Sequence, residues 1–222
     1  MLGFDGSTPD RRTPTLLALF GLVALVGAGC ASAPAARGPV APGAGIAFDV
    51  AKLETDNGQT ALVLERDGEG VRLLDGRRLL LAAYAIDGRT ITVRDADDRI
   101  VGRIEDRGDA FVLTPGDGDA ARALRLTREP DGDLALERGE AVLFDLKARE
   151  YGYKIVAADG SELGRVRAGD GRIAVRNEAR ETVRQTRAPM PAAGVACLVL
   201  PGLALADAGG LSVATVVWGL PE

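Results

Sequence analysis

The chain has 222 residues, enough for one domain or at most two, and its 46% hydrophobic and 27% charged content excludes a membrane protein of many spans. A net charge of -5 argues against a broad basic surface for nucleic acid, and 4% aromatics leave few platforms for stacking on bases or sugars. Histidine is absent, which removes histidine triads, histidine general bases and the commonest metal ligand together.

Residues 1–29 read as an export signal. Arg11 and Arg12 supply positive charge, and the uncharged run 16–29, LLALFGLVALVGAG, ends in small residues before Cys30. A run of that length suits the apolar core of a signal peptide and falls short of the roughly 20 residues a spanning helix needs. A cysteine after Ala28 and Gly29 resembles the lipobox of bacterial lipoproteins, although Gly27 stands where that family prefers leucine. The resemblance implies cleavage before Cys30, acylation of its thiol and of the new amino group, and anchoring in a membrane of the cell envelope. A plain secretory signal or an uncleaved anchor is the alternative, and Arg11-Arg12 also touches on twin-arginine export, which Thr13-Pro14-Thr15 fits poorly. Ala31, in the place where some bacteria set Asp to retain lipoproteins at the inner membrane, points to the outer membrane facing the periplasm. Residues 30–45 then form a tether of Ala, Pro and Gly, too poor in apolar area to offset the entropy of ordering it. The second cysteine, Cys197, has no disulfide partner if Cys30 carries lipid, and its neighbours Val195, Ala196, Leu198 and Val199 predict a small buried hydrophobe.

From residue 46 to about 187 the hydrophobic period is two. Segments 90–94 (TITVR), 122–126 (RALRL) and 172–176 (RIAVR) alternate, and Val142, Phe144 and Leu146 share one strand face opposite Asp145 and Lys147. Asn57-Gly58, Asp67-Gly68, Asp75-Gly76, Asp87-Gly88, Asp117-Gly118, Asp131-Gly132, Asp159-Gly160 and Asp170-Gly171 separate them, and such pairs suit tight hairpins. The spacing predicts about 11–12 short antiparallel strands in a barrel or sandwich. Residues 93–104 (VRDADDRIVGRI) resemble 156–166 (VAADGSELGRV), with Gly102 matching Gly164; two related halves or one recurring hairpin would both read this way.

The acidic turns at 95–98 and 116–119 offer oxygens, but neither has the Gly and closing Glu of a helix-loop-helix calcium loop, so solvated turns are expected and no metal site or cofactor is assigned. Ser161 lacks a strand-turn-helix elbow, phosphate-binding glycine loops are missing, and no catalytic residue is assigned. A hydrolase built on two carboxylates is the remaining enzymatic reading, weakened by the single tryptophan, Trp218.

Residues 192–220 are the most apolar part of the chain after the leader and carry one charge, Asp207. Three readings stand: a buried core helix, a membrane-inserted segment, or strands over the β-branched run 212–218. The strands, each apolar on one face, need a cover, and burial of 192–220 inside them is expected. An array of this kind before an apolar C-terminal helix resembles the scramblase and LURP-one-related group with the tubby-like barrel, most of all over residues 153–186. That resemblance implies a mainly β fold in which the strands close around a C-terminal hydrophobic helix, and a capacity to bind membrane lipid. The expected protein is therefore a lipid-anchored, non-enzymatic envelope protein, with domains at 1–29, 30–45 and 46–220. Its partners are the membrane, through acylated Cys30, and a lipid ligand; docking of exposed strand edges or of the C-terminal segment onto another envelope protein is the second reading.

Overall fold

The computed structural model describes residues 46–220, within a compact unit spanning 38–222. The segments read above as an export signal and a tether, with Cys30 between them, lie outside the described residues.

Fourteen antiparallel strands follow one another in chain order. The first seven are β1 (Val50–Thr55), β2 (Thr60–Asp67), β3 (Gly70–Asp75), β4 (Leu80–Asp87), β5 (Thr90–Asp95), β6 (Ile100–Asp106) and β7 (Ala110–Pro115). After a short 3-10 turn at Ala120–Arg122 come β8 (Leu124–Arg128), β9 (Leu134–Arg138), β10 (Ala141–Arg149), β11 (Gly152–Ala157), β12 (Glu162–Gly169), β13 (Arg172–Arg176) and β14 (Thr182–Thr186). Each strand pairs with its neighbours in sequence, and β1 pairs with β14, so the sheet closes into a barrel. The closing seam is short, pairing Glu54 with Gln185 and Thr55 with Arg184.

The predicted barrel is present, with more strands than the 11–12 expected. The shortfall has a physical origin: several turns carry no Asx-Gly pair. The loop from Asp95 to Arg99 places Asp98 at φ 63°, and the loop from Asn177 to Glu181 places Arg180 at φ 65°. The same position is held by Gly58 at φ 79° and Gly160 at φ 83°. In each loop the N–H of that residue bonds back to the loop's first carbonyl, as Gly160 does to Ala157 and Arg180 to Asn177. An Asx side chain commonly braces the loop: Asp75 Oδ1 accepts from the amides of Arg77 and Leu79, both at 2.8 Å, and Asp95 Oδ1 from those of Asp97 and Arg99, both at 2.9 Å. The likeness between 93–104 and 156–166 is therefore one hairpin design used repeatedly. In both copies the glycine, Gly102 or Gly164, lies opposite the residue just before a register shift.

Two sequence readings need correction at strand level. Arg122 belongs to the 3-10 turn, and β8 begins only at Leu124. In β10 a register shift between Val142 and Phe144 breaks the alternation, so Val142 is exposed while Leu146 is fully buried.

A small eight-stranded barrel fills itself with side chains; a wider one leaves a lumen. Here residues 192–218 fill it as two helices, α1 (Ala192–Leu198) and α2 (Leu205–Trp218), joined by a bend at Pro201-Gly202. The expected single helix is a helical hairpin, because Pro201 cannot continue α1. The strand reading of 212–218 is overturned: those residues lie in α2, and Leu211, Ser212, Val213 and Ala214 are fully buried. No described helix is long and apolar enough to cross a membrane.

α2 packs against β3 to β7 and α1 against β11 to β13. The approach is close because Gly209 and Gly210 face the wall: a methyl at Gly209 would collide with Tyr84 Oη, and one at Gly210 would lie 2.7 Å from Ile104 Cδ1. Tyr84 Oη donates to the Ala206 carbonyl at 3.1 Å, and Trp218 Nε1 donates to the Gly88 carbonyl at 3.0 Å, pinning α2 at both ends. Inward strand positions such as Leu73, Val93, Ile104, Leu126 and Val166 complete the core. Lys52, Arg72, Arg103, Arg125 and Arg167 are exposed between them. A barrel that spans a bilayer has the reverse polarity, with its apolar band outside.

Candidate functional site

In a meander the turns alternate between the two ends of the barrel. The β1–β2, β11–β12 and β13–β14 turns share one end. α2 points its C-terminal Trp218 at the β4–β5 turn of the opposite end, so the α1–α2 bend emerges at the former. There the helical hairpin leans on β3 to β7 and on β11 to β13, leaving a gap beside β14, β1 and β2. The gap is a cavity of about 630 Å³, in the middle of the roughly 300–1,000 Å³ range of small-molecule sites.

Its walls are apolar. Leu53 and Leu62 come from β1 and β2, Ile155 and Leu163 from β11 and β12, Val175 and Val183 from β13 and β14, and Leu198, Val199, Pro201 and Leu205 from the helical bend. Leu205, 45% exposed, forms the rim. The polar residues of the lining are Arg176, Asn177 and Arg184, and no acidic residue is among them. Asn177 is engaged by its own loop, accepting from the Glu181 amide at 2.9 Å and donating to Glu181 Oε2 at 3.0 Å. Arg184 Nη1 donates to the Val183 carbonyl at 2.8 Å. Arg176 Nε is buried with no hydrogen-bond partner among the described residues. Neither arginine forms an ion pair among the described residues, whereas Arg165 on the next strand over is held by Glu162 at 2.6 Å.

No known protein family and no curated protein matches this sequence. Among solved structures, the chain is similar to an X-ray structure of a protein from Arabidopsis thaliana, with 14% identity over 72% of this chain and 93% of that one, at a TM-score of 0.39.

The residues singled out from sequence fall elsewhere. Cys30, assigned to lipidation, lies outside the described residues. Cys197 is fully buried in α1, and burial pushes its thiol up to about 12, which keeps it a protonated, inert packing group. The acidic turns spend their carboxylates locally: Asp95 braces its loop, Asp98 pairs with Arg94 at 3.4 Å, Asp117 with Arg122 at 2.7 Å, and Asp119 caps the 3-10 turn. The Ser161 amide donates to Asp159 Oδ1 within its hairpin, and Ser212 is buried in α2. The cavity itself left no mark in the sequence, since its lining comes from strands far apart in the chain. The one trace is negative: Arg176 has no acidic residue three positions away to hold it, as Glu162 holds Arg165.

Proposed function

We propose that this is a lipid-anchored, non-enzymatic protein of the bacterial cell envelope, whose barrel binds lipid. Acylated Cys30 anchors it at the outer membrane facing the periplasm, and the 30–45 tether lets the barrel reach the membrane surface or a lipid in transit. The observation that carries the lipid-binding half is the apolar cavity at the barrel mouth, open at Leu205 and bordered by two arginines without carboxylate partners. Such a lining favours an amphiphile over a polar metabolite, because only a chain of methylenes gains from burial against leucine and valine. The anchoring half is carried by the lipobox-like placement of Cys30 after Ala28 and Gly29.

Two measurements test the two halves separately. Mass spectrometry of the mature N-terminus is expected to find a start at Cys30 with acyl chains; an unmodified start elsewhere overturns the anchoring. The unit 38–222, which contains the closed barrel and its whole described core, is expected to float with phospholipid vesicles in the absence of its anchor. A unit that neither floats nor changes its melting temperature with lipid removes the lipid-binding reading.

A further inference from the structure

Seven turns of the meander, from β1–β2 to β13–β14, share the end of the barrel at which the α1–α2 bend emerges. Five large apolar side chains stand well exposed among the described residues, and four of them lie at this end. Leu79 closes the β3–β4 turn, Ile100 opens β6, Val142 is second in β10, and Leu205 opens α2. The fifth, Val50, begins β1 at the far end. The bend adds to the group: residues 199–206 (VLPGLALA) carry no charge, and Pro201, Gly202, Ala204 and Leu205 are exposed. Apolar side chains scattered singly over a surface need no explanation, but their gathering around one opening does. Pro201 and Leu205 also line the cavity, so the apolar surface runs on into the chamber.

Building on the lipid-binding reading, we propose that this end of the barrel docks on a surface of zwitterionic phospholipid, with the α1–α2 bend seated among the headgroups and Leu79, Ile100 and Val142 around it. Charge selects the lipid. Acidic residues outnumber basic ones in the seven turns, so an anionic surface repels this end at low salt and a neutral one does not. The chain before the barrel permits the orientation. The described chain enters at the far end, where the Arg66 amide donates to the Asp49 carbonyl beside the β2–β3 turn. Residues 31–45, between Cys30 and that entry, reach at most about 50 Å. The longest strand, β10 with nine residues, is about 30 Å long. An anchor at Cys30 therefore leaves enough chain to pass the barrel wall and turn the mouth to the membrane that holds it.

Flotation of the unit 38–222 with phosphatidylcholine vesicles, and with vesicles containing phosphatidylglycerol, tests this. At low salt the unit is expected to partition more strongly onto the neutral vesicles, with the gap narrowing as salt rises. Leu79→Asp and Leu205→Asp should each weaken partition by roughly fivefold or more. Val50→Asp, at a position 43% exposed against 45% for Leu205 but at the far end, should weaken it by less than about twofold. Thermal melts identify any variant that has lost its fold. Phospholipids brominated along their tails give a reading on the unaltered chain: Trp218, its single tryptophan, sits at the far end beside Gly88 and should stay bright. Leu79→Trp should add an emission that the same lipids quench. Quenching of Trp218 in the unaltered chain, none in Leu79→Trp, or as large a loss in Val50→Asp as in Leu205→Asp overturns the docking face while lipid binding stands. Stronger binding to the anionic vesicles overturns the choice of lipid. A unit that melts higher with lipid without floating takes lipid singly, and this inference falls alone; a unit that does neither takes both readings with it.

Discussion

Gly209 and Tyr84 form the tightest fit between the helical hairpin and the barrel wall. The Tyr84 phenol is buried, and burial foremost, with the nearby Asp207 charge second, raises its pKa, so it stays a hydroxyl that donates to Ala206. Gly209→Ala would press a methyl onto Oη and to 3.0 Å from the ring's Cζ and from Leu73 Cδ2, both on buried residues. The expected loss is about 2 kcal/mol, the cost of overpacking less the better helix propensity of alanine. In a Tyr84→Phe background the oxygen is gone and the same change should cost less than half as much. Denaturant unfolding of the four proteins measures the coupling, and additive losses would refute the contact. Ser212, fully buried on the same helix, has an Oγ without a partner among the described residues. Ser212→Ala removes that unsatisfied hydroxyl at nearly constant volume and is expected to stabilise the fold by about 1 kcal/mol, read as a higher denaturation midpoint.

At the scale of elements, the repeated hairpin shows how the chain spends its glycines. The αL position is Gly in the loops ending β1 and β11, and Arg78, Asp98 or Arg180 in those ending β3, β5 and β13. A side chain there costs about 1–2 kcal/mol, part of which glycine returns through its freer unfolded chain. Arg180, exposed and without an ion pair among the described residues, is the clean case: Arg180→Gly is expected to raise stability by up to about 1 kcal/mol, and Gly160→Arg to lower it by a similar amount, both measurable by thermal melts. The same asymmetry explains what the sequence could and could not reveal. Hairpins marked by Asn-Gly or Asp-Gly were legible because positive φ has a residue signature, and so was the inward burial of 192–218, because half-apolar strands demand a filling. The turns at Asp98, Arg180 and Glu150-Tyr151 were not, since no Asx-Gly pair marks them, although the alternation of 90–94 and 172–176 beside them was. The cavity was legible least of all. It is made by where a helical bend stops short of β14 and β1, a property of packing that no local run of residues encodes.

The whole molecule has two opposed responses to pH. Burial raises the Asp207 carboxyl above its ordinary 3.8, with Arg138 and Arg122 only partly opposing. The folded state then holds a proton that the unfolded chain releases, so stability falls as pH rises from 3.8 through the raised value. Glu162 runs the other way: hydrogen bonds from Arg165 first and Lys154 second lower it from 4.5 to about 2, so its contribution is complete above 4.5 and drains away as pH falls toward 2. Asp207→Asn should remove the decline on the upper side and Glu162→Gln the loss on the lower side, both read from melting temperature against pH. The final question at this scale is whether the helical hairpin and the barrel open together. Cys197 reports on it, because its thiol is fully buried within α1, between the barrel wall and α2. With the sheet closed around the helices and α2 pinned through Tyr84 and Trp218, the hairpin should leave only when the sheet ruptures. Labelling of Cys197 by an alkylating reagent is then expected to proceed at the rate of global unfolding and to follow denaturant with the full unfolding slope. Labelling much faster than unfolding, with a shallow slope, would mean that the hairpin slides out of an intact barrel, and the cavity beside it would then be a moving seam rather than a fixed chamber.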